Sequence, residues 1–170
     1  LGVDWSPAYV EEARAGADRA WRKGGLSRSN LEFRVAYPED LAAAGVEDAS
    51  MDVAYVNSVV TLFCDPAVAL AEIGRVLRPG GLLILETVLA DRPRDEDVIR
   101  AARELGNSVQ AARPEADVLA WLRAAGFGAP QLVEEAPVEA DQGYRAGSSV
   151  PVAPGDEDVR YRAVALNVYR

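Results

Sequence analysis

Four polar residues stand where apolar stretches of the chain stop: Asp4 after LGV, Tyr37 after LEFRVA, Asn57 after VAYV and Glu86 after LLIL. A carboxylate that closes a strand just before a helix can accept both hydroxyls of a nucleoside ribose. Asp4 is so placed, with Trp5 and Ser6 beside it, although a turn residue ahead of Ser6 would look the same. Tyr37 and Pro38 can pack beside a flat base, or form a surface loop with a half-buried ring. Asn57 and Ser58 offer short hydrogen-bonding side chains that can hold a cofactor or substrate, or simply satisfy nearby backbone. Glu86, followed by Thr87, can orient a polar substrate or take part in proton removal; the plain alternative is a charge reaching water. In DQGYRAGSS, Asp141, Tyr144 and Arg145 bring a carboxylate, a phenol and a guanidinium into one glycine-flanked segment. That mixture suits a substrate clamp or lid, and equally a surface excursion.

The elements that must position these groups alternate between strand and helix. Leu1–Val3 reads as a strand end, and Ser6–Pro7 as the cap and first turn of a helix carrying Val10, Ala13, Ala17 and Trp21 on one face. LEFRVAY and MDVAYVN read as strands, the first ended by Pro38. Asp65–Pro66 opens a helix with Ala69, Ile73, Val76 and Leu77 inward, which Pro79-Gly80-Gly81 is expected to stop. Leu82–Leu85 is continuously apolar, as in a central strand covered on both faces, and Glu86 and Thr87 are expected at its end. Helices are expected over 95–111 and 115–125, then strands over 131–135 and 159–169, with 137–158 an irregular flap. This order predicts an α/β fold of one domain: a Rossmann-like three-layer sandwich with a mainly parallel sheet, its ligands held beyond the strand C-termini.

Composition narrows the function. The 170 residues hold 18 basic and 27 acidic side chains, a formal charge of -9 with no basic cluster, so nucleic acid and anionic membranes are not the expected partners. GLLILETVLA is too short to span a bilayer and is broken by Glu86. One cysteine and no histidine exclude an internal disulfide framework and the usual neutral-pH base. No metal site is expected, and a reducing, cytoplasmic location is.

In their order, GVDWSPAYVEEAR, LEFRVAYPEDL, EDASMDVAYVNSVV, DPAVALAEIGRVLRPGGLL and LRAAGFGAPQLVEE resemble the class I S-adenosylmethionine-dependent methyltransferases. The resemblance covers roughly residues 1–135 and is closest to the small-molecule group that includes arsenite and ubiquinone/menaquinone methyltransferases. It implies a doubly wound sheet with an antiparallel last strand and S-adenosyl-L-methionine as cofactor. It assigns Asp4 to the ribose hydroxyls, Trp5 and Ser6 to the nucleoside flank, Tyr37 and Pro38 to the adenine side, and Asn57 and Ser58 to the methionine end. Many relatives have an acidic residue at the position of Tyr37, so stacking is expected to replace a carboxylate there. Glu86, Asp141 and Tyr144 are the candidates for removing a proton from a small-molecule acceptor.

The family's first strand, glycine-rich loop and first helix have no counterpart in these residues. Gly80-Gly81 does not replace the loop, since it follows a helix and enters a strand. Weakened or absent cofactor binding by this stretch alone is therefore expected, with three accounts open: a fragment, a naturally shortened protein, or one piece of a site completed by a partner chain or a second copy. Two alternatives follow: a non-catalytic remnant that serves as a binding or dimerising partner, and a nicotinamide-dependent dehydrogenase, whose ribose Asp4 would also suit.

Overall fold

The computed structural model describes residues 1–139, 151 and 156–170. The chain runs β1 (Gly2–Asp4), α1 (Pro7–Lys23), β2 (Phe33–Val35), β3 (Met51–Asn57), a 3-10 turn (Val60–Leu62), α2 (Pro66–Val76) and β4 (Leu77–Ala90). It continues through α3 (Glu96–Glu104), β5 (Arg113–Pro114), α4 (Glu115–Ala124), β6 (Gln131–Val138) and β7 (Tyr161–Tyr169). The order is that of an α/β fold, as expected.

Helix starts follow their local chemistry. Ser6 Oγ accepts the amide of Tyr9, with Pro7 in the first turn of α1. Asp65 caps α2 by accepting from Ala67 and Val68, and Asp95 caps α3 by accepting from Asp97 and Val98.

β4 is the central strand. It pairs in parallel with β3 (Asn57 opposite Glu86) and with the short β5, and antiparallel with β7, which in turn pairs antiparallel with β6. The last strand is thus antiparallel to its neighbours, as the resemblance implies. β1 and β2 form a separate parallel ladder, and no described strand joins it to β3. What holds the two ladders together is packing and capping: Val3 packs on the main core, Arg34 donates to the Ala44 carbonyl at 2.7 Å, and the Glu72 carboxylate accepts the amides of Leu41 and Ala42.

Strand alternation sends Leu83, Leu85 and Leu89 to one face of β4, where they meet Val164, Leu166 and Val168 of β7 and the inner faces of α2 and α4. Helix α2 approaches α4 so closely that a Cβ on Gly74 would lie 2.8 Å from the Ala125 carbonyl oxygen. Burying this stripe, with Leu70, Leu77, Leu83, Leu85 and Leu122 all at 0% exposure, is the main driving force for the layer. The opposite face carries only a small cluster, Val88, Ala90, Val109 and Ala112, while Val53, Tyr55 and Tyr169 remain exposed.

Several expectations are corrected. Helix α2 ends at Val76, before Pro79, and residues 77–81 already belong to the strand: Gly80 and Gly81 exchange backbone bonds with Arg170, Gly80 taking a positive φ of 75°. Glu86 and Thr87 do not end β4, which continues to Ala90 because β5 and β7 pair with its last residues. The strand is fully covered on one face only, since Leu82 and Ile84 are half-buried. Helix α3 stops at Glu104, well short of 111. β2 keeps only three residues of LEFRVAY, and β6 runs on through Pro137 and Val138, the first two residues of the expected flap.

Candidate functional site

The end of β1 and the end of β2 meet directly. Ala36 N donates to the Asp4 carbonyl at 3.1 Å, so the residues that follow each strand leave side by side. Asp4 Oδ1 accepts the Ser6 amide at 2.8 Å, which folds the chain into the start of α1 and leaves the second carboxylate oxygen without a donor among the described residues. Asp4 is thus the turn residue ahead of Ser6, with its carboxylate exposed. Trp5 and Tyr37 are stacked, with ring centroids 6.3 Å apart and planes 12° from parallel. They are 62% and 54% exposed, a large aromatic surface held open to solvent next to a carboxylate. Pro38 sits in the turn closed by Asp40 N donating to the Tyr37 carbonyl.

That turn reaches the strand-end region of the larger sheet. Glu39 Oε1 accepts the Asp65 amide at 3.1 Å, just ahead of α2, so Glu39 holds a loop amide. Asn57, the last residue of β3, lies opposite Glu86 on β4. Its Nδ2 donates to Tyr55 Oη at 2.8 Å, and Tyr55 Oη donates to Glu86 Oε2 at 3.1 Å. Ser58 N donates to the Glu86 carbonyl at 2.8 Å, and Ser58 itself has a φ of 55°. The left-handed conformation is uncommon outside glycine, and it turns the chain sharply away from β3 at this edge.

The structure therefore gathers Asp4, Trp5, Ser6, Tyr37 and Pro38 into one group and Asn57, Ser58 and Glu86 into another, while the Glu39–Asp65 bond ties the turn after β2 to the start of α2. Asp141 and Tyr144 lie outside the described residues. Sequence reasoning missed Tyr55, although alternation along MDVAYVN puts Tyr55 and Asn57 on one face of β3. It also missed a cleft of about 330 Å³ beyond Ala90, lined by Arg94, Asp156 and Tyr161 among others. None of the expected site residues among the described ones lines that cleft. Arg94 there is paired with Asp156 at 2.7 Å and lies over the Tyr161 ring. Cys64 is exposed, and no group of three metal-ligating side chains occurs among the described residues.

The model of a family described as a methyltransferase domain matches residues 1–85. The chain belongs to that family. Among relatives of this methyltransferase domain, the arsenite methyltransferase of Aquipseudomonas alcaligenes is 34% identical over 138 residues, which is 81% of this chain and 39% of that protein. The human arsenite methyltransferase is 30% identical over 132 residues, covering 78% and 35% respectively. An arsenic(III) S-adenosylmethionine methyltransferase from Chlamydomonas reinhardtii superposes with a TM-score of 0.83 at 30% identity, over 99% of this chain and 54% of that one. The chain thus spans about two-fifths of the first curated relative and about half of the solved one. The fold is that of the class I S-adenosylmethionine-dependent methyltransferases, as the resemblance implied.

Proposed function

We propose that the chain serves methyl transfer from S-adenosylmethionine to a small-molecule acceptor, holding the adenosyl end of the cofactor at the ends of β1 and β2. The observation that carries this reading is the open Trp5–Tyr37 stack beside the Asp4 carboxylate, in a methyltransferase domain. The residues fit the group: one Asp4 oxygen stays open to ribose hydroxyls, and two exposed rings offer a base its apolar faces. Asn57, Ser58 and Glu86 then serve the methionine end and the approach of the acceptor.

The cofactor supplies an electrophilic methyl on a positive sulfonium, so no histidine or metal is required of the protein. This chain's task is alignment: strand ends of the two ladders carry the two groups, and the acceptor is held for in-line attack with water kept away. Glu86, the register partner of Asn57 at the end of β3, is assigned to proton removal where the acceptor needs it. Asp141 and Tyr144 remain assigned to the same step.

Arsenite, the substrate in the relatives' names, is a soft acceptor that thiolates would hold. These residues contribute one thiol at most, Cys64, which favours an organic nucleophile. That lone thiol also supports a reducing, cytoplasmic setting; no helix among the described residues is long and apolar enough to cross a membrane. The exposed Val53, Tyr55 and Tyr169 on the open sheet face support completion of the domain by a further segment, a partner chain or a second copy.

Isothermal titration with S-adenosylhomocysteine and, separately, NADH tests the assignment. Heat with the first and none with the second is expected. Binding of NADH alone would restore the dehydrogenase reading, and binding of neither would leave the non-catalytic one.

A further inference from the structure

The hydrogen bonds around Tyr55 have only one consistent direction. Glu86, ionised, is an acceptor only, and a phenol has a single proton. That proton goes to Glu86 Oε2, so the Tyr55 oxygen is left to accept, and it takes the Asn57 Nδ2–H. The Asn57 amide is thereby oriented: its nitrogen is engaged on Tyr55, and its carbonyl Oδ1 is the end left over. Asn57 and Glu86 are register partners on neighbouring strands, spaced about 4.8 Å apart. Neither Asn57 Oδ1 nor Glu86 Oε1 has a donor among the described residues. Two unpaired acceptors, one of them on a charged carboxylate, are thus presented together where β3 ends.

We propose that Tyr55 is a positioning residue that locks Asn57 and Glu86 into an acceptor-only lip for a cationic group. Resting on the function proposed above, that group is the ammonium at the amino-acid end of the cofactor, beside the sulfonium, with the α-carboxylate of that end directed away from the lip. An asparagine free to rotate would present its amide nitrogen half of the time and repel such a group. The lock removes that state, so the gain is selective for positive charge and indifferent to the nucleoside.

The test compares the full chain with Tyr55→Phe, which keeps the ring at a 59% exposed position and removes only the hydroxyl. Three probes are titrated: S-adenosylmethionine with ammonium and sulfonium, S-adenosylhomocysteine with the ammonium as its one cation, both also bearing the α-carboxylate, and 5′-methylthioadenosine with none of these groups. Loss of one charge-assisted orientation predicts affinities about fivefold weaker for the first two and unchanged for the third. An equal loss for all three, or none for any, overturns the proposal. If the unaltered chain binds none of them, the cofactor reading falls and this one with it. A cofactor-free measurement separates the two: the Asn57 side-chain amide protons in a 1H–15N spectrum should show one slowly exchanging proton, lost in Tyr55→Phe. Identical exchange in both proteins would refute the lock whatever the titrations give.

Discussion

Under the proposed function the two oxygens of Asp4 have different tasks, and the consequences can be separated. Asp4→Asn keeps an oxygen to accept the Ser6 amide but removes the charge that ribose hydroxyls would use. The expected outcome is S-adenosylhomocysteine binding about tenfold weaker with an unchanged melting temperature, read by titration and calorimetry. A second residue stands out for the opposite reason. Thr87 is 2% exposed and its hydroxyl has no hydrogen-bond partner among the described residues, on the face of β4 otherwise lined by Leu83, Leu85 and Leu89. Thr87→Val should therefore be neutral or stabilising by up to about 1 kcal/mol, seen as an equal or higher urea midpoint. A lower midpoint would show that the hydroxyl is satisfied. Asp4 was legible because a carboxylate between an apolar stretch and a Ser-Pro helix start has few uses. Thr87 was not: it seemed to lie at the strand's mouth, and only the pairing of β5 and β7 with residues beyond it made it interior.

Helix α2 shows how one element joins the two ladders. Glu72 accepts the amides of Leu41 and Ala42 in the connection from β2 to β3, and pairs with Arg75 at 2.7 Å, with only 19% of its side chain exposed. Hydrogen bonding to the Arg75 guanidinium, aided by the two amides and opposed by burial, holds the Glu72 carboxyl below its ordinary value of 4.5. A group depressed in the folded state contributes its full stability above the unfolded value, and loses it as pH falls through the lower folded value. Stability should therefore drop below about pH 4.5, and Glu72→Gln should flatten that part of the acid limb in urea melts at stepped pH. An unchanged slope would mean that the tether carries no charge-dependent stability. The start of α2 was readable from Asp65-Pro66, because capping is local. Its end was misplaced, because Val76 stops the helix where Leu77 pairs with Met51, a partner 26 positions earlier in the chain.

Over the whole molecule, a second tie closes the sheet at the far end. Arg94, 2% exposed, follows β4 and pairs with Asp156, 7% exposed, which precedes β7; its remaining nitrogen donates to the Gln110 carbonyl. Removing one partner from a buried pair leaves an uncompensated charge, so Arg94→Met should cost about 3 kcal/mol of unfolding free energy. Combining it with Asp156→Leu should recover most of that loss. Additive losses in the double mutant would show that the two charges are not coupled. Across the molecule, one face of β4 is packed by α2 and α4 and the other is half open, with β1–β2 held beside the larger sheet by contacts other than a shared ladder. The same stretch superposes on about half of a longer arsenic(III) methyltransferase.

By itself the sequence determined what short-range physics controls: the caps of α1 and α2, the span of β3, the α/β order, and the placing of Asp4, Tyr37 and Asn57 at strand ends. Those depend on side chains within a few residues of one another. Tertiary structure decided which ends meet and what they become there. Trp5 faces Tyr37, and Tyr55 binds Glu86 31 residues away, because strand register selects cross-strand neighbours from the whole chain. For the same reason the length of β4 and the burial of Thr87 followed from partners that no local pattern in LLILETVLA could reveal.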